Sequence, residues 1–147
     1  MQRLANSAEY TRRVLSIYVT LLVAGCAAIT GYDPTSYKTA TDLKAESLLL
    51  IEKAKDSPGP HAAAIENVRL KLRQAYEYEK GKGARNRFTL EQWTLLSDPN
   101  GALLGGFLKK WETENRGQSS AFLEGVEKNV SQAFDEIIKL ESRKVKD

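Results

Sequence analysis

Apolar positions recur along this chain at spacings of three and four, the rhythm of one face of an α-helix. Over residues 42–55 the stripe is Leu43, Leu50 and Ala54, widened by Leu48, Leu49 and Ile51. Thr41 or Asp42 can cap its start, and Ser57-Pro58-Gly59-Pro60 stops it, because proline cannot continue a helix. A second helix is predicted over residues 61–80, with Ile65, Val68, Leu72 and Ala75 or Tyr76 on one face and Gly81 and Gly83 beyond its end. A third region opens at Thr89, which has capping-box spacing to Gln92. Ser97-Asp98-Pro99-Asn100-Gly101 interrupts it, and it resumes near Ala102 with Leu103, Leu104, Phe107, Leu108 and Trp111, until Gly117 breaks it. The final helix is predicted over residues 119–144, with Phe122, Val126, Val130, Ala133, Ile137 and Leu140 facing inward and Phe134 and Ile138 beside them.

No useful segment alternates with period two, and no internal repeat is found. Each amphipathic stripe must bury itself against another. The expected fold is therefore all-α, a small up-and-down bundle of about four helices. The 41% hydrophobic and 28% charged residues fit a soluble globular unit of 147 residues and exclude wholesale disorder.

The segment ahead of these helices reads differently. Arg12 and Arg13 precede an uncharged, largely apolar run over residues 14–24, followed by Gly25 and Cys26. As a helix, eleven residues span roughly 16 Å, about half of a bilayer core. Basic start, short apolar run and small residues at its end are the layout of a secretory signal. Val23-Ala24-Gly25-Cys26 resembles the lipobox of bacterial lipoproteins, and Cys26 is the only cysteine. The resemblance implies a diacylglyceryl group on the Cys26 thiol and cleavage between Gly25 and Cys26 by signal peptidase II. It implies a cleaved signal over 1–25, while loop composition predicts a flexible tether over 26–41 behind the lipidated cysteine and the apolar stripes predict a helical domain over 42–147. Membrane attachment would then run through acyl chains on Cys26, in the bacterial cell envelope. Ala27 in place of an aspartate favours the outer membrane if the envelope is Gram-negative.

Removing that segment changes the charge picture. The formal net charge is +3, and residues 1–25 hold Arg3, Arg12 and Arg13 against Glu9, so residues 26–147 are near +1. The basic pI of 8.9 therefore comes largely from the export signal and does not argue for a nucleic-acid partner. One concentration of charge remains. Residues 69–87 hold seven basic side chains against Glu77 and Glu79. Arg69, Arg73, Lys80, Lys82, Arg85 and Arg87 are candidates for contact with anionic envelope polymers or headgroups.

Candidate chemistry is sparse. A single cysteine and a single histidine exclude multi-cysteine zinc sites and paired-histidine metal motifs. No metal or cofactor is expected. His61 follows Pro60 at a predicted helix start and reads as a helix-entry residue, not a base. Carboxylates alternate with lysines and arginines on helix surfaces, and Gly81-Lys82-Gly83 is only half of a phosphate loop. Gly101-x-x-x-Gly105 reads as local close packing. The expected function is a lipid-anchored envelope module that binds or supports an envelope protein or polymer and is not an enzyme. The alternatives are an envelope enzyme or small-ligand carrier with a pocket between helices, and a non-exported helical interaction protein.

Overall fold

A computed structural model of the protein describes residues 31–144. The predicted signal segment and the lipobox-like residues Val23, Ala24, Gly25 and Cys26 lie outside the described residues. Five α-helices follow in order: α1 Pro34–Lys53, α2 Ala62–Gly81, α3 Arg87–Ser97, α4 Leu104–Glu114 and α5 Ser120–Ser142. Short 3₁₀ turns at Gly59–His61 and Ala84–Asn86 precede α2 and α3. No strand occurs among the described residues, and the all-α expectation holds.

Four of the helices make an up-and-down bundle. The start of α1 meets the end of α2, where Ser36 donates a hydrogen bond to Glu79. The start of α3 meets the end of α5, where Thr89 donates to Glu141 at 3.1 Å. α1 also packs along α5, and α3 closes the ring by packing on both α2 and α5. α4 stands outside this ring. It crosses the end formed by the α1–α2 turn and the start of α5: Trp111 donates to the Asp56 carbonyl at 3.0 Å, and Phe107 packs against Phe122.

Two boundaries differ from expectation for local reasons. α1 begins at Pro34, not Asp42, so residues 34–41 belong to a helix and not to a tether. Asp33 caps it, accepting from the Thr35 amide at 2.8 Å and the Ser36 amide at 3.4 Å, and Pro34 occupies the first turn, where its fixed φ suits a helix. The polar composition of this stretch is that of a capped helix start. α3 begins at Arg87, so Thr89 stands inside the helix and no capping box with Gln92 forms.

The interrupted third region is two separate helices. Asp98 folds back to accept from the Asn100 amide at 2.8 Å, and the chain then turns sharply into α4. Gly105 makes that turn possible. A Cβ there would lie 2.2 Å from the Ser97 carbonyl oxygen, far inside contact distance. The 101–105 glycine pair thus serves local packing, as its spacing suggested.

The core runs the length of the ring. Trp93 and Trp111 are both fully buried, with Trp93 edge-on to Phe134 at 6.1 Å and Trp111 stacked on Phe107 at 6.1 Å. Leu43, Ile51, Ile65, Leu96, Leu108 and Ile137 fill the space between them. Burying each such side chain stabilises by about 1.5–3 kcal/mol. The predicted stripes of α1 and α2 are the observed ones, apart from Leu49, which is exposed. In α5 the buried line runs through Leu123, Val130, Phe134, Ile137 and Glu141, which places Phe122 and Leu140 at its edges.

Candidate functional site

The six basic candidates do not form one surface. Arg69 on α2 reaches across to α4, where both guanidinium nitrogens engage the Glu112 carboxylate, one at 3.0 Å, and it also holds Glu66 at 2.9 Å. Burial works against its charge, but the bonds to Glu112 and Glu66 outweigh that and raise its pKa. Lys80 pairs with Glu77 at 3.5 Å and lies over the Tyr76 ring. Lys82 turns inward, pairing with Asp33 at 2.9 Å and Glu79 at 3.1 Å. Charge that is segregated along the sequence is therefore partly neutralised in space, because α4 and the start of α1 bring acids to it.

The remaining three are placed apart. Arg73 stands on the wall of an open groove of about 680 Å³ between α2 and the α3–α4 turn, with Leu72, Tyr76, Pro99 and Lys109. Arg85 and Arg87 are exposed on the 3₁₀ turn and the first residue of α3, with the Arg87 guanidinium 4.7 Å from the centre of the exposed Phe88 ring. His61 packs its ring against Trp111 at 5.8 Å and lies 3.7 Å from Asp56. No group of three or more metal-ligating side chains forms among the described residues.

The end of the bundle where α1 starts holds a buried polar network. Its centre is Glu79, which accepts from Ser36, Lys82 and the Asn86 amide. Asn86 also donates to the Glu79 backbone carbonyl at 3.0 Å and accepts from Lys144 at 2.9 Å. Lys144 pairs in turn with Glu141, which holds Thr89. Glu79, Asn86, Thr89, Glu141 and Lys144 are all buried, and one Glu141 carboxylate oxygen has no hydrogen-bond partner. At the rim, Tyr78 donates to Asp33 at 2.8 Å. Burial alone would raise the Asp33 carboxyl, but hydrogen bonds from Lys82, Tyr78 and the Thr35 amide hold it well below the usual carboxylate range. Burial likewise opposes the charge on Lys82, yet the Asp33 bond and the nearby Glu79 and Glu141 charges raise its pKa.

Sequence reasoning placed most carboxylates on solvated faces and singled out neither Glu79 nor Glu141 as buried. The signal against that lies in the spacing. Leu72, Ala75 and Glu79 continue one three-and-four rhythm, and Phe134, Ile137 and Glu141 continue another. A carboxylate that extends a buried stripe is aimed into the core and needs partners there. Neither tryptophan offers a partner surface, since both are core, whereas Tyr78 and Phe88 are half exposed. Against protein-family models, curated proteins and solved structures, the chain has no significant match.

Proposed function

We propose that this protein is a lipid-anchored module of the bacterial cell envelope, acting by binding or support and not by catalysis. The observation that carries the reading is Val23-Ala24-Gly25-Cys26 after Arg12-Arg13 and a short apolar run, with no second cysteine in the chain. The fold is compatible with it. α1 is capped at Asp33, seven residues beyond Cys26, and seven residues reach at most about 25 Å. Acyl chains on Cys26 would hold the helical domain against its membrane, each buried methylene adding about 0.8 kcal/mol. Among the described residues no helix is long and apolar enough to cross a membrane, so attachment in this reading rests on lipid.

The test is the intact mass of membrane-extracted protein beside a Cys26→Ser variant. A chain that starts at Cys26 with added acyl mass, and a variant that stays uncleaved, support the anchor. An unmodified chain retaining Met1 overturns it. The groove beside Arg73 favours a second reading, a carrier of a small amphipathic ligand. Native mass spectrometry of protein isolated from its own envelope tests that reading. A bound small molecule that is lost on narrowing the groove by Thr94→Trp supports it, and a ligand-free spectrum opposes it.

A further inference from the structure

Three arginines without an acidic partner stand together at one end of the bundle, while the other unpaired cations among the described residues, Lys53, Lys55, Arg73, Lys109 and Lys128, lie elsewhere. Arg85, Arg87 and Arg143 are exposed there, and none forms an ion pair with a described carboxylate. Arg85 and Arg143 come from different elements, yet they line one pocket of about 190 Å³ together with Phe88 and Leu140. Phe88 is half exposed, with Arg87 over its ring. Of the acids at this end, only Glu91, one turn along α3 from Arg87, is exposed without an ion pair, and the buried ones are engaged. Asp33 and Glu79 hold Lys82, and Glu141 holds Lys144.

The buried network fixes this arrangement. Asn86 sits between Arg85 and Arg87 in the chain, and it is pinned by Glu79 on α2 and by Lys144 beyond α5. Arg143 directly precedes Lys144. Three arginines and one phenylalanine are thus presented by a rigid end, not by a loose loop. The opposite end also carries exposed cations, Lys53, Lys55 and Lys109 among them, but there they stand beside exposed Asp56 and Asp98.

The arginine-bearing end is also where α1 starts. Lys82, at the head of the loop that carries Arg85, is paired with Asp33 itself. Cys26 is therefore tethered within about 25 Å of that end. We infer that Arg85, Arg87, Phe88 and Arg143 form a docking face for the anionic phospholipid surface that holds the Cys26 acyl chains, seating the bundle end-on with α4 away from the membrane. The arginines would meet lipid phosphates, and Phe88 would enter the boundary between headgroups and acyl chains. This rests on the lipid-anchor reading above.

The test uses the full lipidated chain reconstituted into phosphatidylcholine vesicles with and without phosphatidylglycerol. A fluorophore is placed at Ala84→Cys at the docking end, or at Gly59→Cys at the opposite end, and quenching by a headgroup-spin-labelled lipid is read. The acyl mass of each sample is measured first, and its absence overturns the anchor and the docking face together. With the acyl mass present, quenching at position 84 should exceed that at 59 in anionic vesicles and fall in 0.5 M salt. Neutralising Arg85, Arg87 and Arg143 to glutamine should lower the docked-to-undocked ratio by roughly a hundredfold, at near-surface contributions typical of single cations. Equal quenching at the two positions, or quenching indifferent to anionic lipid and salt, overturns the docking face and leaves the anchor standing. The salt and lipid arms use no arginine variant, so a folding defect in the triple variant does not remove the test.

Discussion

The two ends of the bundle are closed by opposite means. At the α4 end, closure is apolar and tight. Trp111 stacks on Phe107, and backbones approach so closely that Gly105 and Gly117 have no room for a side chain. A Cβ on Gly117 would lie 2.0 Å from the Lys55 carbonyl oxygen. At the other end, closure is polar. Glu79, Asn86, Glu141 and Lys144 replace the hydrophobic layer, with Asp33 and Lys82 at the rim. The difference teaches what each end contributes. Apolar closure stabilises directly, in proportion to the surface it removes from water. Buried ion pairs return little net stability, because desolvation consumes much of their attraction, but each member becomes expensive to leave alone. The polar end therefore specifies how α1, α2, α3 and α5 meet more than it stabilises them.

Substitutions at each end can break or sharpen this contrast. Trp111→Ala should cost about 4 kcal/mol in urea unfolding, the loss expected when a large aromatic leaves a packed core. Lys144→Met should cost about 3 kcal/mol, since it strands the Glu141 carboxylate in the interior. The paired change Glu141→Leu with Lys144→Met should recover most of that loss, and a double variant no better than the single one would refute the account of the polar end. Gly105→Ala should cost about 2 kcal/mol by forcing the α3–α4 turn apart, visible as a lowered midpoint with an unchanged slope.

Asp33→Ala should cost about 1 kcal/mol through its lost cap. Because the folded-state pKa of Asp33 is depressed, its contribution is present above the unfolded value near 3.8 and is lost as pH falls through the folded value. Thermal melting between about pH 4 and pH 2 should therefore fall more steeply for the wild type than for Asp33→Asn. At the small extreme, Lys38→Ala should change stability by under about 0.5 kcal/mol, because the Lys38–Asp42 pair is exposed at both partners.

How much was legible in the sequence follows the same division. The apolar stripes of α1 and α2 and the turn at Ser57-Pro58-Gly59-Pro60 could be read directly, since hydrophobic periodicity and proline act locally. The register of α5 was legible only approximately. Phe122 and Leu123 are both apolar, and only packing decides that Leu123 faces inward. The start of α1 was hidden by composition, as the residues that cap a helix are also those of loops. The basic segment misled in a different way. Arg69 and Lys82 are neutralised by Glu112 and Asp33, distant in sequence, and no local pattern announces such partners. Conversely, Arg143 joins Arg85 only because α5 returns beside α3.

One feature of the ring has a temporal side. α1 rests on both α2 and α5, and the Gln118 amide donates to the Ala54 carbonyl at 2.8 Å, so a helix formed early is completed by one that follows much later. Until α5 emerges from the ribosome, the apolar face of α1 lacks one of its two walls, and the contacts that join them span a long loop. α1, α2 and α3 can meet before then, but the face of α1 that α5 covers stays exposed until the end of synthesis. The closed ring can form only once the whole domain is available, and a late truncation would leave a long apolar stripe without its cover.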